Sequence, residues 1–162
     1  MGMRYDVELT VNLKEDAPEG ILQVLGFLMS DGEGERPEVP EDPLFDSGWL
    51  DDTFATWATG CEPVAGEAIC SFRRVYRYTR QSVEHFQYTL HLRFSSKLEP
   101  IFEIFLPFAM WLAKWSDQDE CVGSYKGEGT RHPSLLYFHD GKLYHSDVSE
   151  PPECTTDGTL WN

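Results

Sequence analysis

The residues of this chain whose types could do chemistry are five histidines, a surplus of carboxylates and a short run of arginines. His85 and His91 lie an even number of residues apart, so in a strand both face the same way. At ~3.3 Å per residue they are about 20 Å apart, too far to share a metal ion. His132, His139 and His145 lie in or beside a stretch centred on Asp140-Gly141. A two-residue turn there pairs His139 with Lys142 and leaves His145 further along the strand. A zinc site needs three or four converging ligands at about 2.0–2.3 Å, and no spacing here supplies them. The histidines therefore read as ordinary surface or half-buried groups, and no metal or other cofactor is expected.

The carboxylates give no sharper signal. Asp51-Asp52 and Asp117, Asp119 and Glu120 read as solvated charges at helix ends and loops. Glu103 reads as an acid placed at a helix N-terminus, where the macrodipole favours it. No nucleophile elbow, P-loop, dinucleotide fingerprint or paired-histidine zinc helix occurs. The glycine-rich stretch Gly123 to Gly129 reads as a turn, because no helix follows it and Glu128 would oppose an anion. No catalytic residue is assigned, and the reading leans away from an enzyme.

Charge is the informative property. The chain has 13 Lys and Arg against 28 Asp and Glu, for a net charge of −15. Residues 70–97 run the other way, holding Arg73, Arg74, Arg77, Arg80, Arg93 and Lys97 against the single acid Glu84. Two strands in this region would project Arg73, Arg77, His85, Thr89, His91 and Arg93 from one face. These residues would either pair with Asp6, Glu8 or the acidic part of the chain, at ~0.2–1 kcal/mol per cross-strand pair, or bind an anion or a partner. Trp49 and Trp57 join them as candidate contact residues, since Trp and Arg are favoured at interface hot spots. Acidity over the whole surface argues against direct binding to nucleic acid phosphates and against anionic membranes.

These residues need elements to position them. Residues 3–13 alternate strictly, with Met3, Tyr5, Val7, Leu9, Val11 and Leu13 on one side, and so form a half-buried strand. A helix follows. Asp16 is its expected N-cap, with Glu19 in the capping-box position, and Ile21, Leu22, Val24, Leu25, Leu28 and Met29 form the apolar face. Gly26 within that helix is expected to allow close packing. Residues 69–79 and 85–95 are two further alternating strands. A second helix over Ile101–Trp115 is to be kinked or divided by Pro107, with Phe102, Phe105, Leu106, Ala109, Leu112 and Ala113 at helical spacing. Strands at 121–126, 135–139 and 142–145 complete the order, the last two joined by Asp140-Gly141 in a type I′ turn.

The expected fold is α+β: an antiparallel sheet with two helices on one face, in split β-α-β-β-α-β order with a C-terminal hairpin strand. One domain is expected over 1–162. It includes an acidic, proline-rich but ordered excursion at 31–68, with a helical turn near 51–58, and an irregular tail at 147–162. No secretory signal or membrane span is legible, and Cys61, Cys70, Cys121 and Cys154 lack any paired spacing, so free thiols in the cytoplasm are expected.

Phe102 to Pro107, Gly123 to Tyr125 and Pro133 to Tyr144 resemble the C-terminal part of small uncharacterised bacterial proteins. These share a helix with an acid-aromatic start and a proline, a Gly-Tyr strand and an Asp-Gly hairpin. The resemblance implies no activity. On charge alone the expected function is non-enzymatic. The acidic surface would contact a partner protein, a basic one in particular, as an inhibitor, an immunity-type protein or a nucleic-acid mimic does. The alternative is a small-molecule or anion-binding domain using Arg73, Arg77, His91 and Arg93.

Overall fold

The computed structural model describes residues 3–30, 34–46, 69–78, 84–97 and 101–147. Six strands form one antiparallel sheet: β1 (Arg4–Asn12), β2 (Ile69–Tyr78), β3 (Glu84–Lys97), β4 (Glu120–Gly127), β5 (Ser134–His139) and β6 (Lys142–Asp147). Their order across the sheet is β2-β3-β1-β4-β5-β6. The alternating strand β1 sits centrally, pairing with β3 on one side and β4 on the other. The strands up to β4 follow the split order. Hairpin β5–β6 then carries the sheet two strands further.

Period-two alternation fixes which side is buried. Val7, Leu9 and Val11 of β1 lie opposite Phe94, Leu92 and Leu90 of β3, and all six are buried. Helix α1 (Glu19–Met29) adds Ile21, Val24, Leu25 and Leu28 to the same cluster. Helix α2 (Ile101–Ala113, its first turn π-helical) adds Phe105, Phe108, Ala109 and Leu112. Both helices therefore cover one face of the sheet. Each large apolar side chain buried there contributes about 1.5–3 kcal/mol.

Three local expectations are corrected. Asp16 does not cap α1. The helix begins after Pro18, which has no side-chain cap, and the Pro18 carbonyl accepts from the Ile21 and Leu22 amides at 2.9 and 3.2 Å. Pro18 holds extended backbone at φ −58°, ψ 143°, so Asp16 stands too early in the chain to reach the first turn. Gly26 does not serve close packing, because a Cβ built there meets no heavy atom within 4 Å. Gly123 and Gly127 belong to β4 rather than to a turn.

Helix α2 starts as a π-helical turn, Ile101–Phe105, and continues as α-helix over Leu106–Ala113. Pro107 is in the first turn of the α-helical part. It has no amide hydrogen to complete the ladder, and the wider π turn precedes it where an α turn would crowd its ring. That turn also breaks the helical phase, and Phe102 is exposed instead of joining the core.

Residues 34–46 lie along the helical layer rather than across the other sheet face. Asp42 accepts at Oδ1 from the Leu44 amide at 3.0 Å, starting a 3-10 turn at Pro43–Phe45. Phe45 is buried edge-on against Trp111, ring centroids 5.2 Å apart. Lys114 Nζ donates to Asp42 Oδ2 at 2.9 Å. The helical turn expected near 51–58 and the tail after 147 lie outside the described residues. At the last hairpin Asp140 and Gly141 have φ of 48° and 67°, the left-handed pair a type I′ turn requires. Among the described residues no helix is long and apolar enough to cross a membrane.

Candidate functional site

The face of β2, β3 and β1 turned away from α1 and α2 carries Arg73, His91 and Arg93, three of the basic residues singled out by the sequence. The register sets Ile69 opposite Arg93, Ser71 opposite His91, Arg73 opposite Thr89 and Arg77 opposite His85. All of these are odd-numbered positions, and Arg73, His91 and Arg93, whose side chains are described, lie on the side away from the buried Leu90 and Leu92. Arg73 and Arg93 are exposed. They stand at opposite ends of a short diagonal with His91 between them.

The diagonal is not a pure positive patch. Glu8 of β1 faces Arg93 directly, and Asp6 faces Lys126 of β4. Opposite charges in such register contribute about 0.2–1 kcal/mol. His91 Nδ1 is 2.8 Å from Thr10 Oγ1, and Thr89 donates to Asn12 Oδ1 at 2.8 Å. These bonds tie β3 to β1. Arg73, on the edge strand β2, faces neutral Thr89 and forms no ion pair among the described residues. Arg74 belongs elsewhere: its guanidinium lies 4.2 Å from the Phe86 ring centroid, on the opposite side of the same strands. Trp49 and Trp57 lie outside the described residues, as do the side chains of Arg77 and His85.

Two features of the other end of the sheet were not legible. His139 Nδ1 is bonded to Asp119 Oδ1, joining the β5–β6 turn to the loop that precedes β4. The hydrogen bond with Asp119 raises the His139 pKa above its ordinary 6.5, with the charges of Asp119 and Asp140 adding to it. The pair borders an open pocket of about 420 Å³ with Lys14, Asp117, Asp140 and the Ser116–Gln118 loop. A carboxylate-oriented imidazole can accept a proton. The nearby Ser116 hydroxyl, however, is buried and donates to the Asn12 carbonyl at 2.8 Å, so it is committed to structure. Among the described residues no group of three His, Cys, Asp or Glu side chains converges as metal ligands would. The second feature is an apolar groove of about 180 Å³ between α2 and the hairpin, lined by Phe102, Leu106, Met110, Tyr125 and Tyr144 among others.

One group of exposed acids lies on the helical side. Glu19 of α1 and Glu35, Glu38, Glu41 and Asp46 of the adjoining segment are all exposed. The Asp42–Lys114 pair and the Phe45–Trp111 contact hold that segment against α2. Comparison of the chain with family models, with curated proteins and with solved structures returned no match.

Proposed function

We propose that this protein acts without catalysis, by contact of its acidic helical side with a basic protein partner. The observation that carries the reading is that residues 34–46, which bear Glu35, Glu38 and Glu41, are anchored to the fold by buried Phe45. Acids held in place lose less conformational entropy on binding than acids on a free loop, which leaves more of the electrostatic attraction as affinity. Complementary charge of this kind raises the rate of encounter and selects the partner. An inhibitor, an immunity-type protein or a nucleic-acid mimic would each use such a surface.

The test is affinity capture from native lysate at low and high salt, with the wild type and a Glu35→Gln/Glu38→Gln/Glu41→Gln variant. A partner retained at low salt, released at high salt and lost with the triple variant is the expected result. Retention by the variant as by the wild type refutes the proposal. Arg73, without an ion pair among the described residues, supports a second reading, an anion-binding role for the sheet face turned away from α1 and α2. An Arg73→Ala variant that loses anion binding while keeping its partner would favour it.

A further inference from the structure

Helix α1 lines up Gln23, Gly26, Phe27 and Ser30 at helical spacing along one side, and residues 34–38 face them across an open cleft of about 680 Å³. That size falls within the ~300–1,000 Å³ usual for ligand pockets. Gly34, at φ +112°, supplies the left-handed backbone at the start of the facing wall.

Gly26 is the telling residue. A glycine inside a helix destabilises it by about 0.5–1 kcal/mol relative to alanine. Among the described residues it brings no steric return, because a Cβ at this position meets none of their atoms within 4 Å. What the missing side chain leaves is room in the cleft. Half-buried Phe27 gives an apolar wall beside it, and the Ser30 hydroxyl is turned to the Phe27 carbonyl at 3.1 Å. Glu35 and Glu38 stand exposed on the facing wall. Arg36 lies between them and is already engaged in a contact within the protein, whereas Glu35 and Glu38 make no ion pair among the described residues.

We infer that this cleft receives an arginine or lysine side chain of the partner, its methylene stem along Phe27 and the open backbone of Gly26, its cationic head at Glu35 and Glu38. The inference rests on the proposed contact with a basic partner and names where that contact is made. Arginine suits the place better than lysine. Its stem packs on apolar surface while its planar head can bond two carboxylates at once.

The probe is a fluorescein-labelled hexa-arginine peptide, titrated by anisotropy at low salt against the wild type, Gly26→Leu, and Glu35→Gln/Glu38→Gln. Gly26→Leu fills the cleft while removing no contact and improving helix propensity, so its melting temperature should equal or exceed that of the wild type. Both variants should weaken the peptide by about tenfold, the scale of one lost charge-assisted hydrogen bond. Amide shifts on titration of the wild type should centre on Gly26, Phe27, Ser30 and 34–38. If Gly26→Leu binds as well as the wild type while the double glutamine variant binds less, the cleft is not the site and the acidic-surface reading stands. If neither variant changes binding, or if the peptide does not bind the wild type, both are overturned.

Discussion

At Gly123 a single hydrogen atom sets how closely two strands can lie. A Cβ there would stand 2.1 Å from the Glu8 carbonyl oxygen and 2.9 Å from the Leu9 Cα, both backbone atoms of β1. The β4–β5 register shifts between Cys121 and Gly123, and such a bulge bends and twists the strand locally. Gly123→Ala should therefore destabilise by about 1–3 kcal/mol or more, the cost of overpacking where backbone cannot yield, measured by urea denaturation. An unchanged midpoint would show that the strands separate freely. The His139–Asp119 pair makes a second prediction at this scale. Because folding raises the His139 pKa above 6.5, the stability it adds is complete below that value and is lost as pH rises through the raised one. The wild type should thus melt above Asp119→Asn in mildly acid buffer, and the gap should close in alkaline buffer. A gap constant with pH would assign the pair no charge-dependent role. Neither feature could be read from the sequence. The need for Gly123 comes from a bulge, and Asp119 meets His139 only once β4 and β5 have paired.

Elements were legible where one face is buried and the period is strict. The alternating Val7, Leu9 and Val11, the similar run Leu90, Leu92 and Phe94, and the Asp-Gly turn each carry their own signal, and the sheet follows from them. Helix details were less legible, since their causes are not local. The start of α1 depends on the extended Pro18, and the exposure of Phe102 on the π turn before Pro107. The segment 34–46 is where two anchoring effects can be ranked. Burial by itself would raise the Asp42 pKa, but the bonds from Lys114 and the Leu44 amide outweigh it and hold the carboxyl below its usual 3.8. That contribution is present above 3.8 and fades as pH falls through the lowered value. It is small, because the Lys114 side chain is 55% exposed and such pairs contribute about 0–1 kcal/mol. Phe45 is buried on an aromatic partner, and truncating such a ring costs about 3–5 kcal/mol in a core. Phe45→Ala should therefore speed hydrogen exchange and proteolysis across 34–46 far more than Lys114→Met does. The opposite ranking would mean that the segment is held by charge.

Among the described residues the two charge signs are unevenly placed but not separated. Glu19, Glu35, Glu38 and Glu41 are exposed on the helical side, while Arg73 and Arg93 lie on the sheet face turned away from α1 and α2, together with Asp6 and Glu8. The asymmetry was legible from composition, but its geometry was not. Residues 34–46 could have lain over either sheet face, and their side is set by Phe45 meeting Trp111, residues far apart in the chain. The exposed acids of the helical side give the proposed function a kinetic signature. Exposed charges act over a Debye length of about 8–10 Å near physiological salt, so Glu41, outside the cleft, acts mainly on encounter, while Glu35 and Glu38, bonded to the inserted arginine, also slow its release. Joint replacement of the three by glutamine should slow association of a basic partner by about tenfold at low salt and also speed its dissociation, and the difference in association should shrink as salt is added. Arg73→Ala should leave that association rate unchanged or raise it slightly, because it removes a charge of the partner's own sign. Stopped-flow mixing at several salt concentrations separates the cases. An association rate indifferent to the glutamines and to salt, but lowered by Arg73→Ala, would transfer the binding role to the sheet face turned away from α1 and α2.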